Sequence, residues 1–128
     1  MNTSINPTGL GSPAANYALG MLSEAGSRLI HTAGIVPTRP DGTVPADLAE
    51  QADVIWAAIS AVLHAGAMTL SDVITVTTYV VLGNDLAVVM AARDSALAGH
   101  KAASTLITVP ALARPEWKME IAVVAAAF

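Results

Sequence analysis

A chain of 128 residues is long enough for one domain with a sizeable core; 54% of its residues are hydrophobic and only 12% are charged. The net charge of −4 and a total of six Lys and Arg residues provide no basic stripe, so nucleic acid is not expected as a partner. The absence of cysteine excludes disulfides, thiolate nucleophiles and cysteine-ligated metals. The apolar runs are strand-sized and no charged leader precedes them, so we expect a cytoplasmic protein without a membrane partner.

The first half of the chain predicts an irregular arm, two strands and a helix. Residues 1–16 are rich in Asn, Ser, Thr, Gly and Pro, which is typical of irregular structure. Strands are predicted over 17–22 and 28–33, with Ser-Glu-Ala-Gly-Ser between them as a hairpin loop. A Pro-Asp-Gly-Thr turn at 40–43 leads to a helix over about 45–64, whose apolar residues repeat with a 3.6-residue period.

The second half predicts one further helix between strands. Residues 73–81 have a β composition, and a helix is expected from an Asn84 cap to Ala98, closed by Gly99. Two final strands are predicted over 104–109 and 117–125. The order ββαβαββ predicts an α+β fold, with a mixed sheet and both helices on one face. No linker or repeat interrupts the chain, so we treat residues 1–128 as a single domain.

The last predicted strand has two largely apolar faces. Its residues alternate between Met119, Ile121 and Val123 on one face and Lys118, Glu120, Ala122 and Val124 on the other. Because both helices cover the same face, a second cover is needed, and the low charge content favours self-association. We therefore expect other subunits to cover the second face.

Five segments carry a resemblance to a known family: R-L-I-H-T-A-G-I-V-P-T-R-P-D-G-T-V-P-A-D-L (28–48), D-V-I-T-V-T-T-Y-V-V (72–81), N-D-L (84–86), A-A-S-T (102–105) and E-W-K-M-E-I (116–121). In these segments the chain resembles the Rid (YjgF) family of small trimeric imine and enamine deaminases. The resemblance implies a Rid/chorismate-mutase-like fold and a homotrimer with a pocket between each pair of neighbouring subunits. No cofactor is expected, because the glycine cluster at 8–11 precedes no strand-to-helix phosphate turn and no other cofactor motif is present.

The resemblance also implies the parts of a site. In the family's deaminases an arginine clamps the substrate carboxylate, a glycine amide assists, a tyrosine lines the pocket and a glutamate orients water. Gly34 and Tyr17 match the glycine and the tyrosine. Alanine stands at the arginine position, Ala103, and at the position of the usual serine, Ala33, while Ile35 replaces a polar residue. These replacements favour a less charged ligand or a loss of activity.

Two features of this site stay open from the sequence. Aligning the last strand on Met-Glu-Ile places the family's glutamate at Ala122, but a change in loop length would let Glu120 supply the carboxylate. Lys101 is either a point-charge anchor for an anion or a solvent-exposed loop lysine. The candidate catalytic residues are therefore Glu120 and Tyr17, and the candidate substrate-binding residues are Gly34, Ala33, Ile35, Ala103, Ser104, Thr105 and Lys101.

The remaining polar residues have structural alternatives. Arg93 points either toward the pocket or into water. His31, His64 and His100 have no metal-ligand spacing, so no metal site is expected. Two functions remain: hydrolysis of a small imine, enamine or related intermediate, without standard 2-imino acid deamination, or non-catalytic binding of a small molecule or a protein by the trimer.

Overall fold

A four-stranded sheet with two helices on one face forms the body of the protein. The structure, a computed structural model, describes residues 2–10, 13 and 15–128. Its elements are β1 (Thr3–Ile5), β2 (Gly20–Leu22), β3 (Arg28–His31), α1 (Leu48–Ala65), β4 (Val73–Val81), α2 (Leu86–Leu97), β5 (Ala103–Val109) and β6 (Met119–Ala127), with 3₁₀ turns at Thr8–Leu10 and Leu70–Asp72. The large sheet has the order β3-β6-β4-β5, in which β4 and β5 are parallel and the other pairs are antiparallel. The predicted α+β fold with a mixed sheet is confirmed.

The N-terminal region differs from the prediction in two respects. Residues 1–16 were expected to be irregular, but Thr3–Ile5 forms a strand that pairs with Gly20–Leu22 in a separate two-stranded sheet. The predicted hairpin between β2 and β3 is therefore wrong, because β3 pairs with β6 instead. Three-residue strands with exposed side chains leave little hydrophobic pattern for a sequence-based prediction to detect.

Local capping sets the ends of both helices. The Asp47 side chain accepts a hydrogen bond from the Glu50 backbone N–H at 3.1 Å, and Gly66 ends α1. In α2 the cap is Asp85, which accepts from the Ala87 N–H at 3.0 Å. The predicted cap, Asn84, instead donates its amide to the Val81 carbonyl at 2.8 Å.

The hydrophobic core lies between the helices and one face of the large sheet. Ile55, Ile59 and Leu63 of α1 are fully buried against this face. The sheet contributes alternate residues, which are Val76 and Val80 of β4 and Met119, Ile121, Val123 and Ala125 of β6. Val123 therefore packs inside its own subunit, since side chains alternate between the two faces of a strand.

The opposite face of the sheet carries no helix among the described elements, and we call it the open face. Strand register places on it Leu29 and His31 of β3, Thr75, Thr77 and Tyr79 of β4, Ala103, Thr105 and Ile107 of β5, and Glu120, Ala122 and Val124 of β6. All of these residues are at least partly exposed, with Leu29 at 55% and Ile107 at 42%. In the described part of the chain, no helix has the length and apolar character needed to cross a membrane.

Candidate functional site

The loop after β3 returns to β6 and brings Gly34 against Glu120. Ile35 and Ile121 exchange both backbone hydrogen bonds, at 2.7 and 3.1 Å, which fixes this loop on β6. A Cβ at residue 34 would lie 2.8 Å from Cδ of Glu120 and would also collide with its Oε2. Any side chain at residue 34 would therefore have to displace this carboxylate, which is the end of a flexible side chain. The structure places a carboxylate beside the candidate glycine, and that carboxylate belongs to Glu120.

The Glu120 side chain is half-buried on the open face. Within the described residues it has no hydrogen-bond or ion-pair partner, so its oxygens are free to bind water or a ligand. Tyr79 lies directly opposite on β4. Side chains in such a pair have Cβ atoms about 5 Å apart, although the carboxylate itself leans towards Gly34. Sequence reasoning treated Tyr79 only as a strand residue, because its pairing with Glu120 depends on the register of two distant strands.

A second part of the predicted site lies at the other end of the sheet. The Ala18 N–H donates to the Ala102 carbonyl at 3.0 Å, and Ala18 bridges to Ala103, so Tyr17 lies beside the start of β5. Ala103 pairs with Thr75, four residues along β4 from Tyr79. Four residues of strand and two strand spacings separate Ala103 from Glu120 by roughly 16 Å. One subunit therefore does not bring Tyr17 and Ala103 together with Gly34 and Glu120.

Not all of the predicted substrate-binding residues lie on the open face. Thr105 does, and Lys101 and Ala33 are exposed in loops. Ser104 is on the helix side, where its hydroxyl accepts a hydrogen bond from Arg93 at 3.2 Å. Ile35 packs against the core. Ser104 and Ile35 thus point away from the open face, which the alternation of strand residues explains.

Arg93 neither points into water nor reaches the open face. Its side chain is only 7% exposed, and it donates from Nε to the Asp94 carboxylate at 3.1 Å as well as to Ser104. Nη2 lies 3.1 Å from the same Asp94 oxygen without a well-aligned hydrogen bond. Because an unpaired buried charge is costly, Asp94 is needed to neutralise this guanidinium. Arg93 is a structural cation between α2 and β5.

Most of the other cations are also engaged. Arg28 binds backbone carbonyls, Arg39 pairs with Glu50 at 3.5 Å, and Lys118 donates to the Ala46 carbonyl. Of the six Lys and Arg residues, only two have no hydrogen bond or ion pair to the described residues: Lys101 and Arg114. The described residues contain no cluster of three or more His, Asp or Glu side chains that would hold a metal ion.

The sequence and the fold both match known proteins. Residues 12–127 match the family model described as Endoribonuclease L-PSP, which represents the YjgF/Rid family. The chain belongs to this family. Its fold is similar to that of YyfB, a Rid-family protein of unknown function from Yersinia pestis, with 29% identity, 98% of each chain covered and a TM-score of 0.88. The Rid resemblance predicted from the five sequence segments is confirmed.

Other members of the family have the same fold. The YjgF gene product of E. coli is 28% identical over 91% of each chain, with a TM-score of 0.73. TdcF of E. coli, solved with bound serine, is 23% identical and covers 98% of this chain and 99% of its own, with a TM-score of 0.74. At that identity TdcF shows only the fold. No curated protein sequence matches this chain at a significant level.

Proposed function

We propose that this Rid-family protein hydrolyses a small imine or enamine on the open face, in a pocket between the subunits of a homotrimer. The observation that carries this proposal is the contact between Glu120 and Gly34. A carboxylate without a partner among the described residues lies half-buried on the open face, against a glycine whose missing side chain makes room for it. A carboxylate with free oxygens in such a position can take a proton from a water molecule, which makes Glu120 our candidate for the general base.

Hydrolysis of a C=N bond needs one base and one proton donor. Glu120 accepts a proton from a water molecule as the water oxygen attacks the imine carbon. The imine nitrogen takes a proton from an acid, and Tyr79, which pairs with Glu120 across β4 and β6, is our candidate for that acid. As the C–N bond of the resulting carbinolamine breaks, Glu120 gives its proton to the departing nitrogen and the carbinolamine hydroxyl returns a proton to the tyrosine, which releases a carbonyl compound and an amine and restores both side chains. The same carboxylate serves for an enamine once its carbon has been protonated.

The separation of the two halves of the predicted site supports a pocket between subunits. Tyr17 and Ala103 lie roughly 16 Å from Glu120 within one chain, too far to contact the same small ligand. A neighbouring subunit packed on the open face would bring its own Tyr17 to the Glu120 end. It would also cover the exposed Leu29 and Ile107 side chains, which a monomer leaves in water.

The substrate class is inferred from Ala103, which stands where the resemblance implies an arginine. Ala103 has no group that binds a carboxylate, and the nearest free cation in the sequence, Lys101, is in an exposed loop. Bidentate carboxylate recognition depends on a guanidinium, which Arg93 does not provide because it is buried on the helix side. We therefore propose a substrate without a carboxylate next to the C=N bond.

The proposal is tested by following two imines generated in the assay, one neutral and one a 2-imino acid. The expected result is faster decay of the neutral imine with protein than without it, and little acceleration for the 2-imino acid. Equal decay of both imines with and without protein, at several protein concentrations, would exclude this activity.

The alternative function is non-catalytic binding of a small molecule by the same trimer. It is favoured by the alanine at position 103, since a family pocket without its anchoring cation can persist as a binding site. The same experiment separates the two functions. Binding of a neutral ketone to the open face, without any acceleration of imine decay, is the result that this alternative predicts.

A further inference from the structure

A cavity lies at the end of the sheet near Glu120, in the loop between β5 and β6. It has a volume of about 250 Å³, which is enough for a small organic acid. It is lined mainly by apolar side chains and one cation, including Val81, Pro110, Leu112, Arg114, Pro115 and Trp117. Nothing in the proposed hydrolysis uses this cavity.

The loop that forms the cavity is held from inside the protein. The fully buried side chain of Gln51 donates to the Glu116 carbonyl and accepts from the Lys118 N–H, both at 2.9 Å. These two bonds lie on either side of Trp117 in the chain. The backbone N–H of Trp117 also donates to the Arg114 carbonyl at 3.2 Å, which closes a turn. The cavity wall is therefore fixed by buried hydrogen bonds.

Arg114 places an unpaired positive charge at this cavity. Its guanidinium lies 5.6 Å from the centre of the Trp117 ring, in the range of a cation–π contact. It has no carboxylate partner among the described residues, whereas four of the other five cations are engaged. A guanidinium stacked on an aromatic ring and lacking a carboxylate keeps its N–H donors free for an anion.

The cavity and Glu120 lie at the same end of the sheet. Val81, which lines the cavity, is two residues beyond Tyr79 on β4 and faces the same side. Two residues of strand measure about 7 Å, so the cavity begins that far from the position opposite Glu120. A ligand with its reacting carbon at Glu120 would reach Arg114 only through a group several bonds away.

We propose that Arg114 and Trp117 form an anion subsite, which selects an imine or enamine with an apolar chain and a remote carboxylate. This inference rests on the proposed hydrolysis for the identity of the reacting group. The proposed substrate carries its acidic group at the far end of the chain, whereas a 2-imino acid carries its carboxylate next to the C=N bond. The apolar lining holds the intervening carbons, and the guanidinium binds the acid.

The subsite is tested by binding of stable keto acids, without turnover. The probes are 6-oxoheptanoate, with a remote carboxylate, 2-oxobutanoate, with an adjacent one, and neutral 2-heptanone. The readout is the indole N–H resonance of Trp117, and that of Trp56, the other tryptophan, is the internal reference. Arg114→Gln removes the proposed anchor, and Arg39→Gln, which removes a partly exposed cation that does not line the cavity, is the matched control.

We expect 6-oxoheptanoate to shift the Trp117 resonance and to bind more tightly than either other probe. Arg114→Gln should weaken this binding at least about tenfold, since hydrogen bonds to charged groups are among the strong ones, and Arg39→Gln should leave it unchanged. Equal affinity in wild type and Arg114→Gln would overturn the subsite. Binding that depends on Arg114 in a protein that hydrolyses neither neutral nor remote-acid imines would support the subsite and refute the hydrolysis.

Discussion

The Glu120 carboxylate lies against the α-carbon of Gly34, held there by the paired backbones of Ile35 and Ile121. The two residues are 86 positions apart in the sequence, and only the return of the loop after β3 brings them together. The position of the carboxylate is therefore set by a residue that has no side chain of its own.

Replacing Gly34 by alanine should displace the carboxylate. The added methyl group would occupy the place of Oε2, so Glu120 must rotate away and imine hydrolysis should fall at least about tenfold. The unfolding free energy should change by less than about 1 kcal/mol, because the displaced group is the end of a flexible, partly exposed side chain. Enzyme assays and urea unfolding measure these two effects. Gly9→Ala is the control, because nothing lies within 4 Å of a Cβ at that position. Full activity of Gly34→Ala would show that the position of Glu120 is not important.

The two neighbouring valines of β6 should respond differently to a charge. Val124 is on the open face and Val123 is in the core, 2% exposed. Val124→Asp should leave the subunit folded but shift the protein from trimer to monomer, as measured by light scattering. Val123→Asp should destabilise the subunit itself by more than about 3 kcal/mol, because an unpaired charge is buried. A stable wild-type monomer at micromolar concentration, or a fully trimeric Val124→Asp variant, would contradict the proposed assembly.

Restoring a cation at position 103 should change substrate preference. Loss of a charge partner for a bound carboxylate costs about 2–5 kcal/mol, so wild type should be at least about 100-fold poorer on 2-imino acids than relatives with the arginine. Ala103→Arg should improve carboxylate binding without fully restoring turnover, because Ala33 still lacks the family's polar group. Inhibition by a 2-oxo acid measures the binding. Rapid deamination of 2-imino acids by wild type would show that another cation acts, and Lys101→Gln would test the first candidate.

Gln51 should be important for stability although it touches no proposed ligand. Its side chain satisfies the Pro45 and Glu116 carbonyls and the Lys118 N–H inside the protein. Gln51→Met fills a similar volume but leaves these three groups unpaired. We expect a loss of at least about 3 kcal/mol in urea unfolding, since three groups lose their partner and each orphaned buried group costs about 1–3 kcal/mol. Ser60→Ala on the same helix should have little effect. A loss below 1 kcal/mol for Gln51→Met would mean that the loop is held by other contacts.

The fold could be predicted from the sequence because its main elements have strong local patterns. The 3.6-residue period of Ile55, Ile59 and Leu63 and the β composition of residues 73–81 each specify one element without knowledge of the rest. The short strand Thr3–Ile5 has no such pattern, and its partner was assigned to a hairpin with β3. Local periodicity does not show which distant strands pair, and the hairpin prediction was wrong for this reason.

The sequence identified residues of the candidate site but not the contacts between them. Gly34 and Glu120 were both identified, but their contact depends on the bridge between Ile35 and Ile121. Tyr79 was missed because it becomes a neighbour of Glu120 only through the β4–β6 register. Ser104 was named as a candidate substrate-binding residue, but it lies on the helix side of β5, and a motif match does not say which face a residue occupies.

The rate of neutral imine hydrolysis by wild type and by Glu120→Gln tests whether the Glu120 carboxylate is the catalytic base. Glutamine has nearly the same shape and leaves Gly34 covered, but it does not accept a proton from water. Because general base catalysis contributes about 10²–10⁴-fold, we expect kcat to fall at least about 100-fold with unchanged folding and assembly. An equal kcat for the two proteins would show that Glu120 is not the catalytic base and that the open face does not act as proposed.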